Sequence, residues 1–350
     1  MLDLKSLKPN TISRDLKGYT VAIYGAPKTG KTTISTKFPN NLLFAFEAGY
    51  HAIPNIFVVP INTWAEALSY QAQLLKDARE VKKALEKDSN CGAVTQFETI
   101  TIDTSDIAYS LCESYVCSQN GVDAISKIPY GGGYRLVEKE FDEFFRRFTN
   151  AGYGLVIISH EKVATIKDDQ GNEYQRITST LSATPKKIVN RLCDIIGYVK
   201  PVTAFDKNGT ESVKTYMFLR GTSKWEAGSR FKYMPDYIEF NYDSLVNAIG
   251  DAIDEEAKHG NAQYVTDKKM EINTETQISF DDIFAETNNL ITKLLEKDEK
   301  YFPVIKEIIE KRLGMGKLLR DATRVQTEQV NMILFDLKEY LNENNIQVEG

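Results

Sequence analysis

The first 250 residues alternate between short apolar runs and longer amphipathic stretches. The apolar runs are rich in β-branched and aromatic side chains, which is typical of buried strands, while the stretches between them have helical spacing. Strands are predicted at residues 19–24, 42–46, 56–59, 99–102 and 155–158. Helices are predicted at residues 32–38, 64–87, 106–117 and 134–148. This alternation predicts an α/β fold with a mostly parallel sheet flanked by helices.

The pattern changes after His160. Residues 161–185 are polar, contain a Gly-Asn pair and show neither the helical nor the strand period, which predicts a long loop. Two further apolar runs, 195–202 and 213–219, flank the sequence DKNG at 206–209. This arrangement predicts a β-hairpin that extends the sheet.

The remainder of the chain is predicted to be helical. A helix is expected at 243–257, and residues 251–280 are polar and acidic enough to form a linker. Helical periodicity returns at 287–295, 302–312 and 326–341, with Gly314 and Gly316 as breaks. The predicted organisation is a core over 1–250, a polar linker over 251–280 and a small helical domain over 281–350.

Composition narrows the class of protein. The 350 residues are 42% hydrophobic, which is enough for a core and an accessory domain. The four cysteines form no CxxC pair and lack zinc spacing, which favours a reducing cytosol. No signal peptide or membrane-spanning run is found, so a cytoplasmic location without a membrane partner is expected. The net charge of −6 excludes a generally basic nucleic-acid binder but leaves room for a local basic groove.

One segment fits the phosphate-binding Walker A pattern, GxxxxGK followed by Ser or Thr. It lies between a predicted strand and a predicted helix, which argues against the alternative of a chance glycine-rich turn. Lys31 is expected to reach the β and γ phosphates of ATP, and the Thr32 hydroxyl to bind Mg²⁺. The predicted nucleotide-binding residues are Gly25, Ala26, Pro27, Lys28, Thr29, Gly30, Lys31, Thr32 and Thr33.

Asp103 is the predicted second magnesium ligand, because it follows the apolar run at 99–102 and so lies at a strand end. The alternative is that Asp103 caps the next helix. In many AAA+ ATPases a catalytic glutamate follows this Walker B aspartate directly, whereas here the next residue is Thr104. The water-activating carboxylate is therefore sought elsewhere. Glu47, at the end of the run 42–46, is the first candidate and Asp106 the next.

The order of the phosphate loop, Glu47, Asp103 and His160 resembles that of RecA-like ATPases. With the sequence IISHEK at 157–162, the chain more specifically resembles phage-encoded RecA-like ATPases of the Sak type, which are associated with single-strand DNA annealing. The resemblance covers roughly residues 18–245. It implies that Glu47 is the catalytic glutamate and that His160 occupies the place of a γ-phosphate sensor, often Gln in that family. Ser159 is the alternative sensor at the same strand end.

The resemblance also implies a homo-oligomer with ATP at subunit interfaces. Basic residues in the segment GTSKWEAGSRF, namely Lys224 and Arg230, would then reach a neighbouring subunit's ATP and stabilise charge during phosphoryl transfer. Ordinary surface charge is the alternative explanation for both.

Evidence for nucleic-acid binding in the sequence is a modest excess of positive charge. Six basic residues between His160 and Arg191 are offset by four acidic ones, and Tyr174 is available to stack on a base. A solvated loop would have a similar composition. A second basic group surrounds the GMGK break in the helical domain. The basic residues concerned are Lys162, Lys167, Arg176, Lys186, Lys187 and Arg191, and then Lys311, Arg312, Lys317, Arg320 and Arg324.

The function expected from the sequence is a RecA-like P-loop ATPase that hydrolyses Mg-ATP. Single-stranded DNA is the expected partner, in phage recombination, annealing or replication alongside other phage proteins of those processes. One alternative is an ATP-dependent assembly or helicase-loader protein that acts on a protein partner. Another is a non-hydrolysing nucleotide switch.

Overall fold

A computed structural model describes residues 12–14, 16–88, 90–205, 211–260, 264–265, 280–344 and 346. The chain divides into two compact units, residues 1–273 and 274–350, which are described separately below. Within the described residues, no helix combines the length and apolarity that crossing a lipid bilayer requires.

The first unit contains all the strands and the first six helices of the described residues. The strands are β1 Ile12–Ser13, β2 Thr20–Gly25, β3 Asn41–Ala45, β4 Phe57–Pro60, β5 Thr99–Asp103, β6 Gly154–Lys167, β7 Glu173–Ser179, β8 Ile195–Phe205, β9 Glu211–Phe218, β10 Gly228–Ser229, β11 Tyr237–Glu239 and β12 Tyr264–Val265. The helices are α1 Lys31–Ser35, α2 Trp64–Lys87, α3 Ser105–Gln119, α4 Gly132–Asn150, α5 Ala183–Leu192 and α6 Tyr242–Lys258.

The main sheet has the strand order β11-β9-β8-β2-β6-β5-β3-β4. The strands from β8 to β4 in this order run parallel, while β9, β10 and β11 are antiparallel to their neighbours. Gly25 is paired with His160, and Asp103 with both Ala45 and Ile158. The carboxyl ends of β2, β6, β5 and β3 therefore meet at one edge of the sheet.

Helices cover both faces of this sheet. Successive residues of a strand point to opposite faces, so Val21 and Ile23 pack with α1 and α6 while Ala22 belongs to the core shared with α2 to α5. Both faces are buried, which explains why the strands appear in the sequence as continuous apolar runs. The predicted α/β class with a mostly parallel sheet flanked by helices is confirmed.

The predicted loop at 161–185 is wrong. Strand β6 continues to Lys167, pairs with β7 from Glu161↔Ser179 to Lys167↔Glu173, and is followed by helix α5. We refer to β6 residues 161–167, the connecting turn and β7 as the hairpin. Its outer part is exposed, so no buried face imposes an apolar alternation on the sequence. Asp168 closes the turn by accepting hydrogen bonds from the Gln170 and Asn172 N–H groups.

The predicted hairpin between 195–202 and 213–219 is confirmed as an antiparallel pair of β8 and β9. Its predicted turn at 206–209 lies outside the described residues.

Helix α6 shows that the sequence-based domain boundary at residue 250 is misplaced. Ala252 and Ile253, which lie beyond that boundary, are buried in the core on the α1 face of the sheet. Asp254 also accepts a hydrogen bond from Arg14 at 2.6 Å. Residues 251–258 therefore belong to the first unit. The remainder of the predicted linker is described only at 259–260, 264–265 and 280.

Helices α7 Phe280–Lys297, α8 Phe302–Leu313 and α9 Thr327–Glu343 form the second unit. Their apolar faces share a core that includes Leu294, Ile305 and Ile333, as the helical periodicity predicts. Arg312 on α8 donates two hydrogen bonds of 2.9 Å to Asp336 on α9. Gly314 ends α8 at φ 104, a conformation that favours glycine.

Two truncations should differ in their effect on the stability of the first unit. A chain that ends at residue 273 is expected to remain folded and to bind ATP as the full chain does. A chain that ends at residue 250 loses buried Ile253 and should lose roughly 2–3 kcal/mol of stability from that side chain alone. Thermal melting and ATP titration measure both effects. Collapse of the 273-residue chain would show that the two units do not fold independently.

Candidate nucleotide site

The phosphate loop connects β2 to α1 at the carboxyl edge of the sheet. Lys28 and Gly30 have positive φ angles of 64 and 89, which turn the backbone sharply ahead of the helix. In the part of the chain that the structure describes, the N–H groups of residues 28–32 have no hydrogen-bond acceptor. Backbone donors left without protein partners in a loop of this shape fit the phosphates of a nucleotide.

Gly25 allows this loop to lie close to strand β8. A Cβ atom at Gly25 would lie 2.3 Å from the carbonyl oxygen of Val199, so the backbone would have to move. Gly25→Ala is therefore expected to cost about 1–3 kcal/mol in stability and to weaken ATP binding. Gly49→Ala is the matched control, because a Cβ there meets nothing within 4 Å. Equal melting temperatures for the two variants would contradict the close approach.

Lys31 is a buried cation at the start of α1, with 5% of its surface exposed. Its Nζ donates hydrogen bonds to the carbonyl oxygens of Gly25 at 2.9 Å and Ala26 at 2.7 Å. Burial lowers the pKa of Lys31, and the nearby charges of Asp103 and Glu161 oppose that shift. No carboxylate of the described residues forms an ion pair with Lys31. Its charge is therefore available to an anion that enters the loop.

Thr32 and Asp103 are brought together as the sequence predicts. The Thr32 hydroxyl donates a 2.6 Å hydrogen bond to Oδ2 of Asp103, which is 3% exposed. Burial raises the pKa of Asp103, and the hydrogen bond from Thr32 opposes that shift. Helix α3 begins after Thr104 without a side-chain cap, which argues against Asp103 as a helix cap.

This pair fits a magnesium ion. A hydroxyl and a carboxylate are hard oxygen ligands, and Mg²⁺ commonly uses one or two protein carboxylates with water and phosphate oxygens. Among the described residues, no group of three or more His, Cys, Asp or Glu side chains is arranged to hold a metal. A magnesium ion held by Thr32 and Asp103 would take its other ligands from water and nucleotide.

Glu47 lies beside Asp103 at the end of β3. The N–H groups of Phe46 and Glu47 donate to the Asp103 carbonyl oxygen at 2.7 Å and 3.3 Å, which fixes the backbone there. Oε1 of Glu47 lies 3.4 Å from Nε2 of His160, and about a third of each side chain is exposed. Ser159 is 5% exposed and lines a small internal cavity with Tyr24. Of the two sensor candidates, His160 is the one that contacts Glu47.

Comparison with known proteins places the chain in a family. A family model described as an AAA domain matches residues 17–231. The chain belongs to this AAA domain family. The AAA domain is a P-loop ATPase fold, which agrees with the sheet and the phosphate loop described above. The match ends before α6 and before the second unit.

A relative covers both units. Over 349 residues the chain is 27% identical to the SPbeta prophage-derived uncharacterized protein YorG of Bacillus subtilis (strain 168), spanning 98% of this chain and 99% of that protein. The similarity therefore extends through the helical unit, beyond the AAA domain.

Arg230 lies at the opposite edge of the AAA domain sheet from the phosphate loop. It donates to Asp194 at 2.9 Å and to the Arg191 carbonyl oxygen at 2.6 Å. Asp194 in turn accepts a hydrogen bond from the N–H of Thr20, at the amino end of β2. Arg230 is therefore placed outside the site of its own chain.

Lys224 is also outside this site. Its carbonyl oxygen accepts a 2.8 Å hydrogen bond from the N–H of Ile177 in the hairpin, and its side chain is exposed. Neither Lys224 nor Arg230 contacts the phosphate loop.

Two further carboxylates, Asp106 and Glu161, oppose the lowering of the Lys31 pKa by burial. Asp106 accepts a 3.0 Å hydrogen bond from the Thr180 hydroxyl. Glu161 has a buried Oε2 without a partner among the described residues. From the sequence, Glu161 was interpreted only as an acidic residue of a loop. Its position directly after His160, at the end of a parallel strand, is the signal that could have identified it.

Most basic residues between His160 and Arg191 are already paired within the AAA domain. Lys187 is the one of the six without a hydrogen-bond or ion-pair partner among the described residues. The partners of the others are Thr180 and Leu181 for Lys162, Glu173 for Lys167, Trp225 for Arg176, Glu226 for Lys186 and Asp142 for Arg191. The hairpin is therefore less available to phosphates than its composition implies.

Proposed function

We propose that this chain is a magnesium-dependent, RecA-like ATPase that acts on single-stranded DNA in phage recombination, annealing or replication. The observation that carries the proposal is the convergence of Lys31, Thr32, Asp103 and Glu47 at one edge of the sheet. An AAA domain with this arrangement has the groups that phosphoryl transfer requires, namely phosphate-binding donors, metal ligands and a carboxylate for water.

Each residue has a separate role in hydrolysis. Lys31 and the loop N–H groups hold the β and γ phosphates, and Thr32 with Asp103 holds Mg²⁺. Held there, Mg²⁺ would supply positive charge beside the phosphate oxygens. Glu47 is partly exposed and accepts a proton from the attacking water. His160 lies within 3.4 Å of Glu47 and orients its carboxylate.

The RecA-like assignment is supported by the position of the carboxylate. The residue directly after Asp103 is Thr104, which is fully buried and carries no acidic group. Glu47 instead stands at the end of β3, the first strand after the phosphate-loop helix. This is the location that the resemblance to RecA-like ATPases assigns to a catalytic glutamate.

Two observations support action on DNA in a phage. The similar protein YorG is prophage-derived by name. Strand β6 runs without interruption from His160 into the hairpin, which would let a change at the nucleotide site reach an exposed element of the surface. Phage replication or recombination proteins are further proposed partners.

The proposal is tested by ATP turnover with and without single-stranded DNA, coupled to annealing of complementary strands. Single-stranded DNA is expected to raise turnover, and duplex DNA of the same sequence serves as the control. Equal turnover with both, and no annealing, would contradict action on single strands.

An assembly or loader function is the second candidate. It is favoured by the hairpin, whose cations are paired internally and whose Val163 is 61% exposed. Stimulation of turnover by a protein partner rather than by DNA would identify this function. Tight ATP binding with negligible turnover would instead identify a nucleotide switch.

A homo-oligomer with ATP at subunit interfaces is part of the proposal. Neither Arg230 nor Lys224 contacts the phosphate loop of its own chain, so a role in hydrolysis would be at a neighbouring subunit's site, and ordinary surface charge is the alternative. Mixing Arg230→Ala subunits with Glu47→Gln subunits would then restore hydrolysis, because some interfaces combine an intact carboxylate with an intact arginine. No recovery in proven mixed assemblies would remove Arg230 from the mechanism.

A further inference from the structure

We propose that Glu161 sets the nucleotide affinity of this site, because its carboxylate competes with the ATP phosphates for Lys31. The competition also links nucleotide binding to the hairpin, of which Glu161 is the first residue. This inference rests on the proposed ATP-binding function and adds to it a residue that opposes binding.

The position of Glu161 follows from the strand register. His160 is the last β6 residue paired with β2, opposite Gly25, and Glu161 is the first paired with β7, opposite Ser179. Glu161 therefore lies where the parallel sheet ends and the hairpin begins. Asp103 ends β5 and Glu47 follows β3, and within the described residues neither of these strands pairs with β7.

The Glu161 carboxylate is incompletely satisfied. Its Oε2 is buried and has no hydrogen-bond partner among the described residues, while the Tyr198 hydroxyl forms a hydrogen bond with the side chain. Glu161 is half-buried, and a carboxylate oxygen shielded from water without a hydrogen bond is costly, so the nearby charge of Lys31 stabilises it. Lys31 donates to the carbonyl oxygens of Gly25 and Ala26, and Gly25 pairs with His160, so the strand register places Glu161 beside the Lys31 ammonium. In agreement with this position, Glu161 opposes the lowering of the Lys31 pKa by burial.

Nucleotide phosphates remove that compensation. The phosphates take the charge of Lys31 and bring further negative charge close to Glu161, which then has no cation and no second hydrogen bond. Repulsion between the phosphates and the nearby Glu161 carboxylate therefore lowers the affinity for ATP measurably. Glu161 responds by moving away from the loop, and the base of the hairpin moves with it.

Tyr198 connects this movement to the phosphate loop itself. Its ring stacks on Tyr24 at 5.1 Å between centroids, and Tyr24 directly precedes Gly25. The Tyr24 hydroxyl in turn accepts a 3.1 Å hydrogen bond from the N–H of Glu226. Glu161 therefore belongs to a continuous set of contacts that joins the loop, strand β8 and the hairpin.

The test is Glu161→Gln in the full chain, which keeps the shape and the Tyr198 hydrogen bond but removes the charge. ATP affinity, measured by calorimetry with Mg²⁺, is expected to rise roughly tenfold. Adenosine, which lacks phosphates, should bind both forms equally. ATP-dependent hydrogen-exchange changes in 161–179 should be smaller in the variant. Glu173→Gln, at an exposed hairpin position, is the matched control and should match the wild-type protein in all three measurements.

Unchanged or weakened ATP affinity in folded Glu161→Gln would overturn the inference. Glu161→Ala provides a second removal of the charge and should also increase ATP affinity, so a fold defect of one variant does not decide the result. A wild-type protein that binds no ATP would instead overturn the proposed function, and the two failures are therefore distinguishable.

Discussion

Lys31→Ala is expected to reduce ATP turnover by at least about 10²–10³-fold, the typical loss when one charged donor is removed from a phosphoryl-transfer site. The Lys31 side chain is the buried cation of the phosphate loop, and alanine leaves its place to neutral groups. The fold of the variant should survive, because the Lys31 ammonium donates hydrogen bonds to carbonyl oxygens of the phosphate loop. Phosphate release and thermal melting measure the two effects.

Lys37→Ala is the matched control for charge, since Lys37 is exposed just beyond α1. It should retain wild-type turnover. A folded Lys31→Ala protein that also retained wild-type turnover would show that hydrolysis does not occur at this loop.

Glu47→Gln should slow turnover by about 10²–10⁴-fold while ATP affinity stays within a small factor of wild type. The amide keeps the size and polarity of the side chain but cannot accept a proton from water. The variant should therefore lose turnover rate but keep its affinity for ATP. Single-turnover kinetics would measure the rate, and calorimetry with Mg²⁺ would measure the affinity.

Glu80→Gln is the control for loss of a carboxylate, because Glu80 is 66% exposed on α2, away from the sheet edge. Unchanged turnover in Glu47→Gln would mean that another acid activates the water. Asp106 would be the next residue to replace, since it lies near Lys31 and has one buried carboxylate oxygen without a partner among the described residues.

The sequence was sufficient for the parts of the fold in which local pattern and burial agree. Strand β2 and helix α2 were predicted almost to the residue because the first is buried on both faces and the second begins with a capping box at Thr63. The hairpin was missed because its outer strands are exposed and show no apolar alternation. A signal was present in the turn sequence DDQGN, which lies between two β-branched segments.

The site was predictable only as far as it depends on strand ends. Asp103 ends one parallel strand and Glu47 closely follows another, while Thr32 lies just after the phosphate loop. Their proximity therefore follows from the topology of the sheet. The location of Arg230 depends instead on its pairing with Asp194, a contact between segments 36 residues apart. The role of Glu161 depends on the register of β6 with both β2 and β7. Neither register nor long-range pairing has a local sequence signature.

The most direct test of the account is multiple-turnover phosphate release from ATP by the full-length protein, with Mg²⁺ and with a chelator. Sustained release is predicted with Mg²⁺, with loss of activity on chelation, because Thr32 and Asp103 would hold the ion beside the phosphates. Release no greater than that of Lys31→Ala in either condition would contradict the claim that this sheet edge hydrolyses ATP.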